Sequence, residues 1–214
     1  MNGGELCDNF NGGMGGAIST IHSLAGYRNH IIINGGKIHD NTALGAGAIN
    51  ARNADLEIYD AEIYGNTATK DVTEFDMVGG EGGGAVTVAS DSIGVIDGAS
   101  IHDNYSDLSG GAIQVFSNSQ LTIRNGEIYN NIAESHGGAI CVADAFSSRQ
   151  ESKSVLTIEH AILRDNVARS TFAEEGHSSA PHSPGGGAIY AHEFCEVYLK
   201  DGAQLLNNRT NKHW

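Results

Sequence analysis

The sequence predicts an all-β solenoid, a right-handed parallel β-helix, and three observations carry that expectation. A phrase close to Gly-Gly-Ala-Ile recurs along the whole chain, an Asn-closed segment recurs between its copies, and apolar residues alternate with polar ones. The glycine before each Ala of the phrase is Gly16, Gly47, Gly84, Gly111, Gly138 and Gly187, so successive copies lie 31, 37, 27, 27 and 49 residues apart. The shortest spacing is the base period and the excesses are insertions, which is how a looped solenoid reads. The 214 residues fit a single domain of about seven coils with a 27-residue base repeat.

Within a coil the elements follow in order. The segments opening at Met1, Ile33, Ile58, Ile96, Ile123 and Ile158 share one spacing: an apolar residue first, another at the sixth place, and Asn at the ninth. A degenerate copy with one extra residue opens at Leu199. Leu121–Ile123, Val197–Leu199, Ile113–Val115 and Ile140–Val142 alternate at period two, the mark of strands. The 29 glycines argue against long helices. Three strands are expected per coil: the GGAIxV stretch, the LxI stretch and the stretch around the second Ile. Coils of parallel strands stack about 4.8 Å apart.

Corner chemistry explains the repeated polar residues. Asn9, Asn41, Asn66, Asn104, Asn131, Asn166 and Asn208 share one phase. Their amides can therefore bond from coil to coil as a ladder. The glycine pair before Ala-Ile suits a tight corner that needs positive φ or a close backbone approach. Asp8, Asp40, Asp103 and Asp165 precede the ladder Asn, where small polar residues serve turns. Cys7, His39, Tyr64, His102, Tyr129, Arg164 and Leu206 form one outward column, suited to stacking sugars or to packing between coils.

The GGAI phrase with its Asn-closed partner resembles repeats of bacterial right-handed parallel β-helix proteins. Examples are the polymorphic outer-membrane autotransporters of chlamydiae and repetitive surface proteins of Gram-positive gut bacteria. The resemblance covers nearly the whole chain and implies a surface or adhesive module. Pectinolytic enzymes share the architecture without the GGAI repeat, and fold alone assigns no activity.

Composition narrows the partners. With 26 acidic and 12 basic residues the formal charge is −14, which disfavours direct contact with nucleic acid or anionic membranes. No run approaches a membrane span. The three cysteines sit at different phases and are expected unpaired, with Cys141 pointing outward. No HxH, HExxH or CxxC occurs, so neither a metal nor another cofactor is expected. Met1–Gly4 already reads as coil, with no signal segment. A surface or extracellular location is expected if the chain is cut from a longer solenoid, and a cytoplasmic one if it is complete. Uncapped coil ends would allow end-to-end self-association.

Insertions carry the functional expectation, since loops on a rigid scaffold hold binding residues. Two large ones, residues 69–82 and 169–186, leave the corner between the Asn ladder and GGAI, where the coils between them have none, and smaller ones near residues 22–30 and 143–154 leave the next corner. They are expected to wall a trough about 10–15 Å wide. Its floor would expose Thr87, Gln114 and Phe116, with Cys141, Ala89 and Ala143 beside them and Ser109 and His136 at the margin. Glu81, Glu174 and Glu175 stand on the loops and favour a neutral or cationic partner. The leading expectation is a non-catalytic module binding glycan or protein. A carbohydrate-active lyase or glycoside hydrolase would need converging acids in the trough, and no acid pair stands out as catalytic. A third reading is a small acidic intracellular or phage-encoded protein that blocks a basic, nucleic-acid-binding surface.

Overall fold

The computed structural model describes residues 1–21, 27–69, 82–144, 153–169 and 185–210. These residues are all-β, with no helix, and their strands pair in parallel into three stacked sheets of eleven, seven and six strands. The class is a parallel β-helix.

One turn of the chain shows why each piece lies where it does. Ile113–Phe116 belongs to the six-stranded sheet, in register with Val86–Ala89 before it and Ile140–Ala143 after it. Ser117 and Asn118 then take left-handed φ values of 51° and 59°, turning the chain into Gln120–Arg124 of the eleven-stranded sheet. Asn125 and Gly126, at 54° and 73°, bend it again before Glu127–Tyr129, which stays in the same large sheet. Asn, Asp and Gly bear positive φ at least cost, so these corners select them. In earlier turns the two pieces fuse into the eleven-residue strands Asn29–His39 and Ala54–Tyr64.

The next corner carries the Asn. The residue before it is left-handed throughout: Asp8, Asp40, Gly65, Asp103, Asn130, Asp165 and Asn207 have φ between 53° and 63°. That turn requirement accounts for the acidic column. The Asn side chains then bond in one unbroken series, Nδ2 to the next Oδ1, at 2.8, 2.9, 2.9, 3.0, 3.0 and 2.8 Å from Asn9 to Asn208. Each acceptor oxygen also takes the backbone N–H of the preceding Asn, as Asn131 Oδ1 does from Asn104 at 3.0 Å. The five inner amides are buried.

The seven-stranded sheet follows the ladder and differs from the expected three-strand coil. The LxI and second-Ile stretches share one sheet, and the third face is the short segment after each Asn, such as Thr67–Thr69, Tyr105–Ser106 and Ile132–Ala133. Its signal is a small residue two places past the Asn: Ala43, Ala68, Ser106, Ala133 and Ala168 are all fully buried.

Inward isoleucines stack into columns that form the core. Ile96, Ile123 and Ile158 pair in sequence, as do Ile101, Ile128 and Leu163, and all six are nearly or fully buried. Burying each such side chain contributes about 1.5–3 kcal/mol. A second polar ladder lines the corner after the six-stranded sheet. Ser119 Oγ accepts from Ser92 N at 3.1 Å, Ser92 Oγ accepts from Ala54 N at 3.0 Å, and Ser154 Oγ accepts from Ser119 N at 3.4 Å.

Candidate functional site

The two large insertions start from the same sheet. One leaves at Thr69, the end of Thr67–Thr69, and the other follows Val167–Ala168. Between these strands the seven-stranded sheet holds only Tyr105–Ser106 and Ile132–Ala133. Three strand steps separate the two bases, about 14 Å. The chain returns at Gly82 and at Gly185, each just before a strand of the six-stranded sheet. Glu81, Glu174 and Glu175 lie outside the described residues.

The expected floor is not open. Thr87 and Gln114 are completely buried, as are Ala89, Cys141 and Ala143 within a few per cent, and Ser109 is 7% exposed. Strand alternation does place Thr87, Gln114 and Cys141 away from the Ile core, but the glycine corner folds back over that side. Gly82 is the covering residue: its N–H donates to Gln114 Oε1 and its carbonyl accepts from Thr87 Oγ1. Cys141 lies beside Ser109 under the same corner, and burial pushes its thiol up to about 12. Thr87 and Gln114 thus hold the return of the first insertion and cannot meet a ligand directly. Phe116 and His136 remain partly exposed.

At the margin, around the expected His136, the structure assembles further side chains that periodicity did not single out. His136 lies against the Tyr190 ring, with centroids 4.5 Å apart and planes at 37°, and Ser135 Oγ is 2.5 Å from its Nδ1. One strand over, Tyr105 Oη lies 2.9 Å from Asp107 Oδ1 and 3.0 Å from Glu134 Oε1, while Arg169 Nη1 donates to Glu134 at 2.6 Å. Burial first, and then these two carboxylates, hold the Tyr105 phenol protonated above the ordinary tyrosine range. The signal available in sequence was positional only: Asp107, Glu134 and Arg169 each stand three places past a ladder Asn, and Tyr105 one place past Asn104.

The outward column of the large sheet is a stack of rings. His39, Tyr64, His102 and Tyr129 follow one another with centroids 4.6, 5.3 and 4.7 Å apart and planes within 10°, and the Arg164 guanidinium caps Tyr129 at 4.1 Å. Such contacts tie coil to coil. Metal-ligating side chains converge at the first step of this column, at Glu5, Cys7 and His39. Cys195 is half-buried, with its thiol pushed up to about 12 by burial and then by Asp144. All three cysteines are free thiols.

Comparisons with protein-family models, with curated proteins and with solved structures find no match for this chain. Among the described residues no helix is long and apolar enough to cross a membrane.

Proposed function

We propose that this chain is a non-catalytic binding module: a right-handed parallel β-helix of about seven 27-residue coils that holds a glycan or a protein at the corner between its two large insertions. One observation carries the reading. The insertion bases flank two uninserted strands of a single sheet, and those coils present the Asp107–Tyr105–Glu134 cluster and His136, which lies against Tyr190 just past the second insertion. An aromatic pair next to carboxylates suits a sugar ring, or a peptide with basic side chains. Of the remaining expected residues Phe116 also stays partly exposed, and Glu81, Glu174 and Glu175 add acid from the loops. The resemblance to bacterial repeat proteins supports a place on the cell surface.

The carbohydrate-active reading has one observation in its favour. Asp107 and Glu134 both reach the Tyr105 hydroxyl, so their nearer oxygens lie within about 6 Å, close to the separation of a retaining glycosidase pair. Each is already engaged by Tyr105, and Glu134 by Arg169 as well, which suits tying the corner together better than proton transfer.

A glycan array and a salt-dependent pull-down test the proposal, each repeated with both loops trimmed to the 27-residue period and with His136→Ala. Loss of the detected partner in both variants is the expected result. Unchanged binding by a folded, trimmed protein overturns it. Saccharide cleavage that disappears in Glu134→Gln would establish the enzyme instead.

A further inference from the structure

The ring stack has one step unlike the others. His102 has an aromatic ring on either side, Tyr64 and Tyr129, whereas His39 has Tyr64 on one side and Cys7, its register partner, on the other. Both histidines sit in the same Ile-His-Asp-Asn sequence, and in both the following Asp lies 2.7 Å from Nδ1. Their Nε2 atoms differ. That of His102 is 3.5 Å from Glu62, and its two register partners, Tyr64 and Tyr129, bring no sulfur. That of His39 is 2.6 Å from Glu5 Oε1, and one ligand atom each of Glu5, Cys7 and His39 lies within 4.8 Å of the other two.

We propose that Glu5, Cys7 and His39 form a zinc site, with the carboxylate, thiolate and imidazole as three ligands and water as the fourth. Thiolate, imidazole and carboxylate together select zinc over calcium or magnesium. Zinc–ligand bonds of about 2.0–2.3 Å put tetrahedral ligand atoms about 3.3–3.8 Å apart. The Glu5–His39 contact must therefore open by about 0.7 Å and the sulfur must close by about 1 Å at most. Glu5 has the freedom to do this, since its side chain is 56% exposed. His39 has little freedom and needs none. Stacking on Tyr64 sets its ring plane, and Asp40 at Nδ1 leaves Nε2 for the metal, the usual carboxylate–histidine–metal relay. The metal would clip strand Glu5–Cys7 to Asn29–His39, with the open position facing solvent.

The test uses the whole chain, stripped of metal with a chelator and titrated with Co²⁺ and then Zn²⁺. One Co²⁺ per chain is expected to give a thiolate-to-cobalt charge-transfer band that Zn²⁺ displaces and Cys7→Ser abolishes. Zinc affinity should fall at least about tenfold in Cys7→Ser and His39→Gln, several-fold in Asp40→Asn, and stay unchanged in His102→Gln. Mass spectrometry of the alkylated wild-type chain needs no variant: Zn²⁺ should protect Cys7 and leave Cys195 as it was. Absence of the thiolate band, an unprotected Cys7, or an equal loss in His102→Gln overturns the site.

Discussion

Two corners of the same coil solve the stacking problem in opposite ways. At the Asn corner a side chain fills the space between turns, and each inner amide donates and accepts along the stack. At the glycine corner nothing fits between turns: a Cβ on Gly84, Gly111 or Gly138 would run into the backbone carbonyl of the next copy. The difference explains where insertions are tolerated. Both large loops begin beyond the Asn corner, whose backbone N–H and side chain are each bonded to the next turn, and end where the glycines re-establish contact. The Asn corner, locked by its side chain, keeps one length. A corner defined by closeness fixes only where the chain must return.

Breaking the glycine corner should have the largest effect. A Cβ at Gly111 meets Gly138 O, and lies 2.7 Å from both the N and the carbonyl C of Ile132. These are backbone atoms of two neighbouring segments, so neither yields by a rotamer change. Gly111→Val is expected to cost about 3 kcal/mol or more by overpacking, measured by denaturant unfolding. A loss under ~1 kcal/mol would mean that the corner has slack and that closeness does not define it.

The Asn corner should come second, and it should depend on position. Asn131→Ala removes the acceptor of Asn104 N and Nδ2 and leaves the carbonyls of Ile101 and Tyr129 without their amide donor. A cost of roughly 1–3 kcal/mol is expected, because those groups are buried. Asn208→Ala should cost less, since Asn208 is only part-buried and has a ladder partner on one side among the described residues. Equal losses at the two sites would show that the amides act singly and not as a ladder.

Both corners were legible in the sequence because each imposes a residue type at a fixed phase. The core columns were legible because Ile recurs at the same two places of the Asn-closed segment. The seven-stranded sheet was not, because strands of two or three residues are too short to show alternation. The orientation of Thr87 and Gln114 misled for a different reason. Alternation says which way a side chain points from its own strand, not whether a later corner folds over it, and here Gly82 does. The Tyr105, Asp107, Glu134 and Arg169 cluster repeats no residue type, although Asp107, Glu134 and Arg169 each stand three places past a ladder Asn. A column of Asp, Glu and Arg shows no common chemistry until the coils stack and Tyr105 reaches two of its members.

The serine corner sharpens the comparison at a smaller scale. Ser119 is fully buried and its Oγ accepts from Ser92 N at 3.1 Å, but it makes one inter-coil side-chain bond where Asn131 makes several. Ser119→Ala is expected to cost about 1 kcal/mol, chiefly for the Ser92 amide left unpaired. A loss as large as that of Asn131→Ala would make this corner the equal of the Asn ladder.

The smallest expected effect lies between the two main corners, at Tyr105, which follows ladder residue Asn104 and reaches forward to Asp107 and Glu134. Its folded-state pKa is raised, by burial first and by the two carboxylates after it. The unfolded chain releases the phenolic proton near pH 10, whereas the folded chain holds it. The resulting stability is fully present below pH 10 and is lost as pH rises beyond it toward the folded value. Tyr59, Tyr190 and Tyr198 are shifted in the same direction, so the whole chain should weaken in alkali. The informative quantity is therefore a difference: unfolding midpoints of the wild type and of Tyr105→Phe, each at neutral pH and above pH 10. The variant should start lower, having lost its hydrogen bonds to the acids, and should fall less steeply. Parallel slopes would mean that Tyr105 ionises as freely in the fold as out of it, and that the acids at the glycine corner do not grip the strand leaving the Asn corner.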